Sequence, residues 1–128
     1  MINNVINIQS EKQIQEWIIR WFRTEFPPEK ALIVHVANEN PRGLDKMQAI
    51  KYHRAMRLLG RLKGFPDLMV LCNNKVGFFE VKAKSGKLSP EQEEILKQLQ
   101  SLGFKAMTIR SQLEAEVCIK NFIEDCFV

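Results

Sequence analysis

Asp67 and Glu80 lie thirteen residues apart, and Lys82 follows Glu80 by two. Asp67 closes the run Gly64-Phe65-Pro66-Asp67, and Glu80 opens Glu80-Val81-Lys82. Two acids and a lysine brought to one point are the minimal kit for metal-dependent phosphodiester chemistry. Carboxylates hold a hard divalent cation, and the ammonium holds or deprotonates the attacking water, or offsets charge on the phosphate. Each residue also has a plainer reading, Asp67 as a turn residue at a strand start and Glu80 and Lys82 as a solvated strand edge.

The flanking pattern speaks against the plain reading. Leu68 to Cys72 and Val76 to Val81 are apolar runs that predict strands buried on both faces. Acids and ammonium groups in such strands need partners. Asn73-Asn74 between them suits a two-residue hairpin turn, because asparagine tolerates positive φ. That turn pairs Cys72 with Lys75 and sets Asp67 opposite Glu80, their Cβ atoms roughly 4.5–5.5 Å apart. Two carboxylates so close repel unless one takes a proton or both share a cation. Mg²⁺, which takes one or two carboxylates with water and phosphate oxygens, suits the pair. Pro66 fixes the strand entrance and Gly64 permits a close turn.

Other elements must position this hairpin. Ser10 to Phe26 predicts an amphipathic helix with a Ser10/Gln13 capping box and apolar Ile14, Trp17, Ile18, Trp21 and Phe22, stopped by Pro27-Pro28. On it, Glu11 lies at the rim of the buried face and Glu16 points elsewhere. Ala31 to Ala37 predicts a strand, and residues 38 to 43 a loop. Leu44 to Leu62 predicts a helix with Met47, Ile50, Ala55, Met56, Leu58, Leu59 and Leu62 as its apolar side. Ser89 caps a further helix, with Pro90 at its first position and Gln92 completing the box; Ile95, Leu96, Leu99 and Leu102 face in and Gly103 ends it. Phe104 to Ile109 predicts the last strand. Ser111 to Phe127 predicts the last helix, with Leu113, Val117, Cys118 and Phe122 inward. The expected fold is α/β, a mixed sheet flanked by helices, with a right-handed parallel crossover between the last two strands.

The 128 residues suit one domain spanning 1–128. Net charge is +4, yet Pro41 to Gly64 alone holds seven Lys/Arg against one acid, a local +6. A solvated helix face mixes signs to gain i,i+4 pairs, and this one does not. Arg54, Arg57, Arg61 and Lys63 are therefore candidate phosphate contacts, with Lys84 and Lys87 beside the hairpin. His35 and His53 read as structural or nucleic-acid-facing. Cys72, Cys118 and Cys126 are odd in number and lack metal-ligand spacing, which suits core roles in a reducing compartment. No signal peptide or membrane span is expected, and the expected location is cytoplasmic.

Gly64-x-Pro66-Asp67, Glu80-x-Lys82 and Leu88-Ser89-Pro90-x-Gln92 together resemble the VRR-NUC family of the PD-(D/E)xK superfamily. The resemblance implies a restriction-endonuclease-like fold with a four-stranded sheet. It implies Mg²⁺ or Mn²⁺ held by Asp67, Glu80, the Val81 carbonyl and, through water, Glu11. It further implies catalytic roles for Lys82, Gln92 and a first-helix acid, Glu11 matching better than Glu16, and an approach of Asn38 to the site. The chain is similar to the short stand-alone members of phages and bacteria, which resemble homodimeric four-way (Holliday) junction resolvases of DNA repair and recombination. The expectation is then an endonuclease for branched DNA. The alternatives are a non-enzymatic DNA-binding or assembly module, and a nickase or flap nuclease without junction preference.

Overall fold

The computed structural model describes residues 9–37 and 41–128. Its elements run α1 (Glu11–Glu25), β1 (Leu32–His35), α2 (Lys46–Leu58), β2 (Leu68–Cys72), β3 (Lys75–Val81), α3 (Pro90–Ser101), β4 (Lys105–Ile109) and α4 (Gln112–Cys126). One four-stranded sheet has the order β1-β2-β3-β4. β1/β2 and β2/β3 are antiparallel, and β3/β4 is parallel across the α3 crossover. The mixed α/β sheet is as expected.

The hairpin register follows from its turn. Asn73 and Asn74 take φ of 48° and 69°, which only a short polar side chain or glycine adopts readily. Cys72 pairs with Lys75 and Leu68 with Phe79, so continuing the ladder by one residue brings Asp67 opposite Glu80.

α1 and α4 cover one face of the sheet. Ile14, Ile18 and Phe22 of α1 pack with Ala115, Ile119, Phe122 and Ile123 of α4 against Leu68, Val70, Phe79 and Val81. α3 covers part of the other face, setting Ile95, Leu96 and Leu99 on Phe78 and Ala106. Both α1 and α3 begin with complete capping boxes, Ser10/Gln13 and Ser89/Gln92, which fix where each N-terminus lies. Cys72 and Cys126 are buried thiols and Cys118 is half-buried; all three are free.

Three expectations are corrected. On α4, Leu113 and Val117 face solvent, and the buried stripe runs Ala115, Ile119, Phe122, Ile123, Cys126. Leu102, expected inward, is exposed beyond the last turn of α3. The largest departure is α2, none of whose residues is buried. Its expected apolar side stands in solvent, with Leu58 84% and Leu59 80% exposed. The helix holds its shape locally. Asp45 and Gln48 form a capping box, and Gly60 (φ 98°) closes a Schellman turn in which the Arg61 and Gly60 amides donate to the carbonyls of Met56 and Arg57.

Candidate active site

The start of β2, the end of β3 and the N-termini of α1 and α3 meet at one end of the sheet. Asp67 Oδ2 accepts a hydrogen bond from the Val81 amide at 2.9 Å, locking the acid across the hairpin. Glu80 is 2% exposed and is the one buried charged side chain among the described residues. Its Oε1 accepts from Gln92 Nε2 at 3.0 Å, while Oε2 is buried with no hydrogen-bond partner. Burial, then the nearby charge of Asp67, pushes the Glu80 carboxyl up to about 8.

Gln92 had two readings, helix cap and site residue; it caps α3 and also reaches Glu80. Its Oε1 accepts from the Ser89 amide at 2.9 Å, which leaves the other end of the same amide to donate to Glu80. The approach to this helix also explains Gly64. At φ 87°, a Cβ there would stand 2.6–2.8 Å from backbone atoms of Glu91 and Gln92, closer than atoms can pack. Glycine lets the loop press against the turn that carries Gln92.

Lys82 Nζ lies 3.9 Å from Glu11 Oε1, with the lysine side chain 12% exposed and the glutamate 51%. Glu11 is thus the α1 acid nearest the lysine. Glu16 does not point away as expected; it lines the same cleft. The cleft has a volume of about 1910 Å³ and runs between α1 and α2, with Asp67, Gln92 and Glu11 in its wall. Arg54, Arg57, Arg61 and Lys63 line it too, as do His35 and His53, favouring the nucleic-acid-facing reading of both histidines. Lys84 and Lys87 are exposed in the loop after Lys82 and are not part of that wall. Asn38 lies outside the described residues. Val81 enters the geometry through its amide.

Lys12, Gln15 and Arg20 also line the cleft and were missed. A signal was present: Lys12, Gln15, Glu16, Ile19 and Arg20 recur every three or four residues and mark one helical face.

Two carboxylates with one orphaned buried oxygen fit a single hard cation whose remaining positions go to water and phosphate. Among the described residues no cluster of three or more His, Cys, Asp or Glu is placed to hold a metal ion.

A mixed sheet with two acids and a lysine gathered at one end is the arrangement of PD-(D/E)xK nuclease domains. The VRR-NUC domain family matches residues 9–113, and the chain belongs to that family of nuclease domains. A solved structure titled "VRR_NUC domain protein" superposes with a TM-score of 0.66 at 19% identity, over 91% of this chain and 89% of that one. It supports the fold. No curated protein matches the chain.

Proposed function

We propose that this protein is a Mg²⁺- or Mn²⁺-dependent endodeoxyribonuclease acting on branched DNA, with a four-way junction as its substrate and a two-fold dimer as its working form. The observation that carries the chemistry is the buried Glu80 carboxylate, with one oxygen held by Gln92 and the other orphaned beside Asp67. Asp67 and Glu80 would hold the cation, with the Val81 carbonyl and, through water, Glu11. When bound, the cation supplies Lewis-acid polarisation of a phosphoryl oxygen.

The chain supplies the rest. The Val81 amide fixes one oxygen of Asp67, leaving the other for binding. Gln92 fixes Glu80 and thereby the distance between the two acids. Lys82, largely sheltered and opposite Glu11, positions the attacking water or offsets charge building on the phosphate. Arg54, Arg57, Arg61 and Lys63 on the cleft wall would contact backbone phosphates. Asn38 is kept as a further DNA contact by family resemblance.

The dimer is supported by α2, an amphipathic helix none of whose residues is buried among the described residues. Paired cuts on a symmetric junction need two sites, which a two-fold dimer provides.

The test is cleavage of a labelled four-way junction, a flap and a linear duplex, each with Mg²⁺, with Mn²⁺ and with EDTA. Symmetric paired cuts on the junction alone, lost in EDTA and in Asp67→Ala, are expected. Cutting of flap or duplex equally well would establish a nuclease without junction preference. No cleavage of any substrate, with wild type and Lys82→Ala indistinguishable, would leave a DNA-binding module on the same fold.

A further inference from the structure

The turn from Ala83 to Gly86 follows Lys82 directly, and one side chain from another element holds it. Arg110, the residue after β4, donates from Nη1 to the carbonyls of Ala83 at 3.1 Å and of Gly86. The main chain beside it does related work, since the Lys82 amide donates to the Ile109 carbonyl at 2.9 Å. The turn has one internal bond, Gly86 amide to Ala83 carbonyl at 3.0 Å. Among the described residues no carboxylate pairs with Arg110, so its positive charge is not cancelled by an ion pair.

The turn in turn backs the site. A Cβ at Gly86 would stand 3.6 Å from Glu11 Oε1, the oxygen that faces Lys82 Nζ. Glu11 is half-exposed at the first position of α1, where a glutamate has several rotamers open to it. Gly86 therefore lies next to that oxygen, and the position of the turn bears on where Glu11 sits. The same turn carries Lys84, with Lys87 just beyond, both exposed.

We infer that Arg110 is a positioning residue: it clamps the Ala83–Gly86 turn so that Glu11 stays opposite Lys82 and Lys84 and Lys87 are presented as one phosphate-binding ledge. The inference rests on the nuclease reading for its consequence, though the clamp itself can be read without cleavage. Free of the clamp, the turn keeps only its single internal bond, and the two lysines lose their fixed spacing. Held in place, they engage phosphates on the side of the site away from the α2 arginines.

The experiment compares wild type with Arg110→Met, which keeps the aliphatic stem and removes the donors, and with Arg110→Lys, which returns charge and donors. Amide hydrogen exchange in EDTA should quicken about tenfold or more at Gly86 in Arg110→Met, with exchange in α1 and α4 unchanged. Arg110→Lys should fall between the two. Duplex binding in EDTA should weaken, its salt slope flattening as far as in Lys84→Ala/Lys87→Ala and no further when all three changes are combined. The turnover rate should fall more than KM rises, because Glu11 and Lys82 act at the reacting phosphate. Unchanged Gly86 exchange, a Lys variant no better than Met, or fully additive binding losses would overturn the inference. If Arg110→Met does not fold, the Lys variant alone must still show raised Gly86 exchange. An inert wild type whose Gly86 protection still depends on Arg110 would sink the nuclease reading and uphold the clamp.

Discussion

Glu80 sits under opposing demands, since its carboxyl is buried beside a second acid and, in the function proposed, must ionise to bind a cation. Its pKa is raised from 4.5 to about 8, so the metal-free protein carries a proton there at neutral pH. A folded value above the unfolded one means this proton's contribution to stability is full below about pH 4.5 and is lost as pH rises through about 8. The melting temperature in EDTA should therefore fall across that window, and Glu80→Gln should flatten the fall while abolishing cleavage. Cation binding near neutral pH should release about one proton per site, read by titration calorimetry in buffers of different ionisation enthalpy. Gly64 gives a second expectation. Alanine there meets both a left-handed backbone and the first turn of α3, so denaturant unfolding should show a loss of roughly 2–4 kcal/mol. Cleavage should fall about tenfold or more as Gln92 shifts. The acids, the lysine and Gln92 were all legible in sequence because each sits in a motif with a stated geometry. Arg110 was not, because a guanidinium seeking carbonyls leaves no spacing to read.

At the scale of elements, the cleft has walls of different make. α1 is anchored by Ile14, Ile18 and Phe22, whereas α2 is tied mainly through its ends. Charge on α2 should act on affinity more than on the fold. Replacing Arg54 and Arg57 by Gln should leave the melting temperature nearly unchanged and flatten the salt dependence of duplex binding by up to about two phosphate equivalents. Fluorescence anisotropy across a salt series in EDTA checks it. The hairpin, the capped starts of α1 and α3 and the mixed sheet were readable because turn chemistry and caps are local. The facing of α4 was not. Leu113, Val117, Cys118 and Phe122 form one stripe and Ala115, Ile119, Phe122, Ile123 and Cys126 another, so periodicity alone could not choose. The sheet chose the stripe that begins with a small residue, which lets the helix start close in.

For the whole molecule, the uncovered apolar side of α2 is matched by a partly uncovered sheet edge, where Leu32 and Val34 of β1 also face solvent. Buried against a second copy, each leucine of α2 would contribute about 1.5–3 kcal/mol. Leu58→Asp/Leu59→Asp should accordingly weaken self-association by about a hundredfold or more while leaving the monomer's melt unchanged. Sedimentation velocity over a concentration series reads it directly, and unaltered association would place the interface elsewhere. Among the described residues no helix is long and apolar enough to cross a membrane. An amphipathic pattern announces that a helix will bury one side but not whose surface will cover it, and the apolar side of α2 is such a case.

The Asn73-Asn74 turn lies at the far end of the hairpin from the acids, five residues or about 17 Å away along each strand. Loop tips of this kind are ordinarily where a chain tolerates extra residues most freely. Here one inserted residue that slid β3 by a single step would turn Glu80 and Lys82 to the opposite side of the sheet and bring Phe79 or Val81 across from Asp67. The site would vanish with every one of its residues intact. In the nuclease proposed, the length of that turn is therefore as much a part of the site as the carboxylates, and loop-length variation, elsewhere the cheapest change a protein can make, is closed to this hairpin.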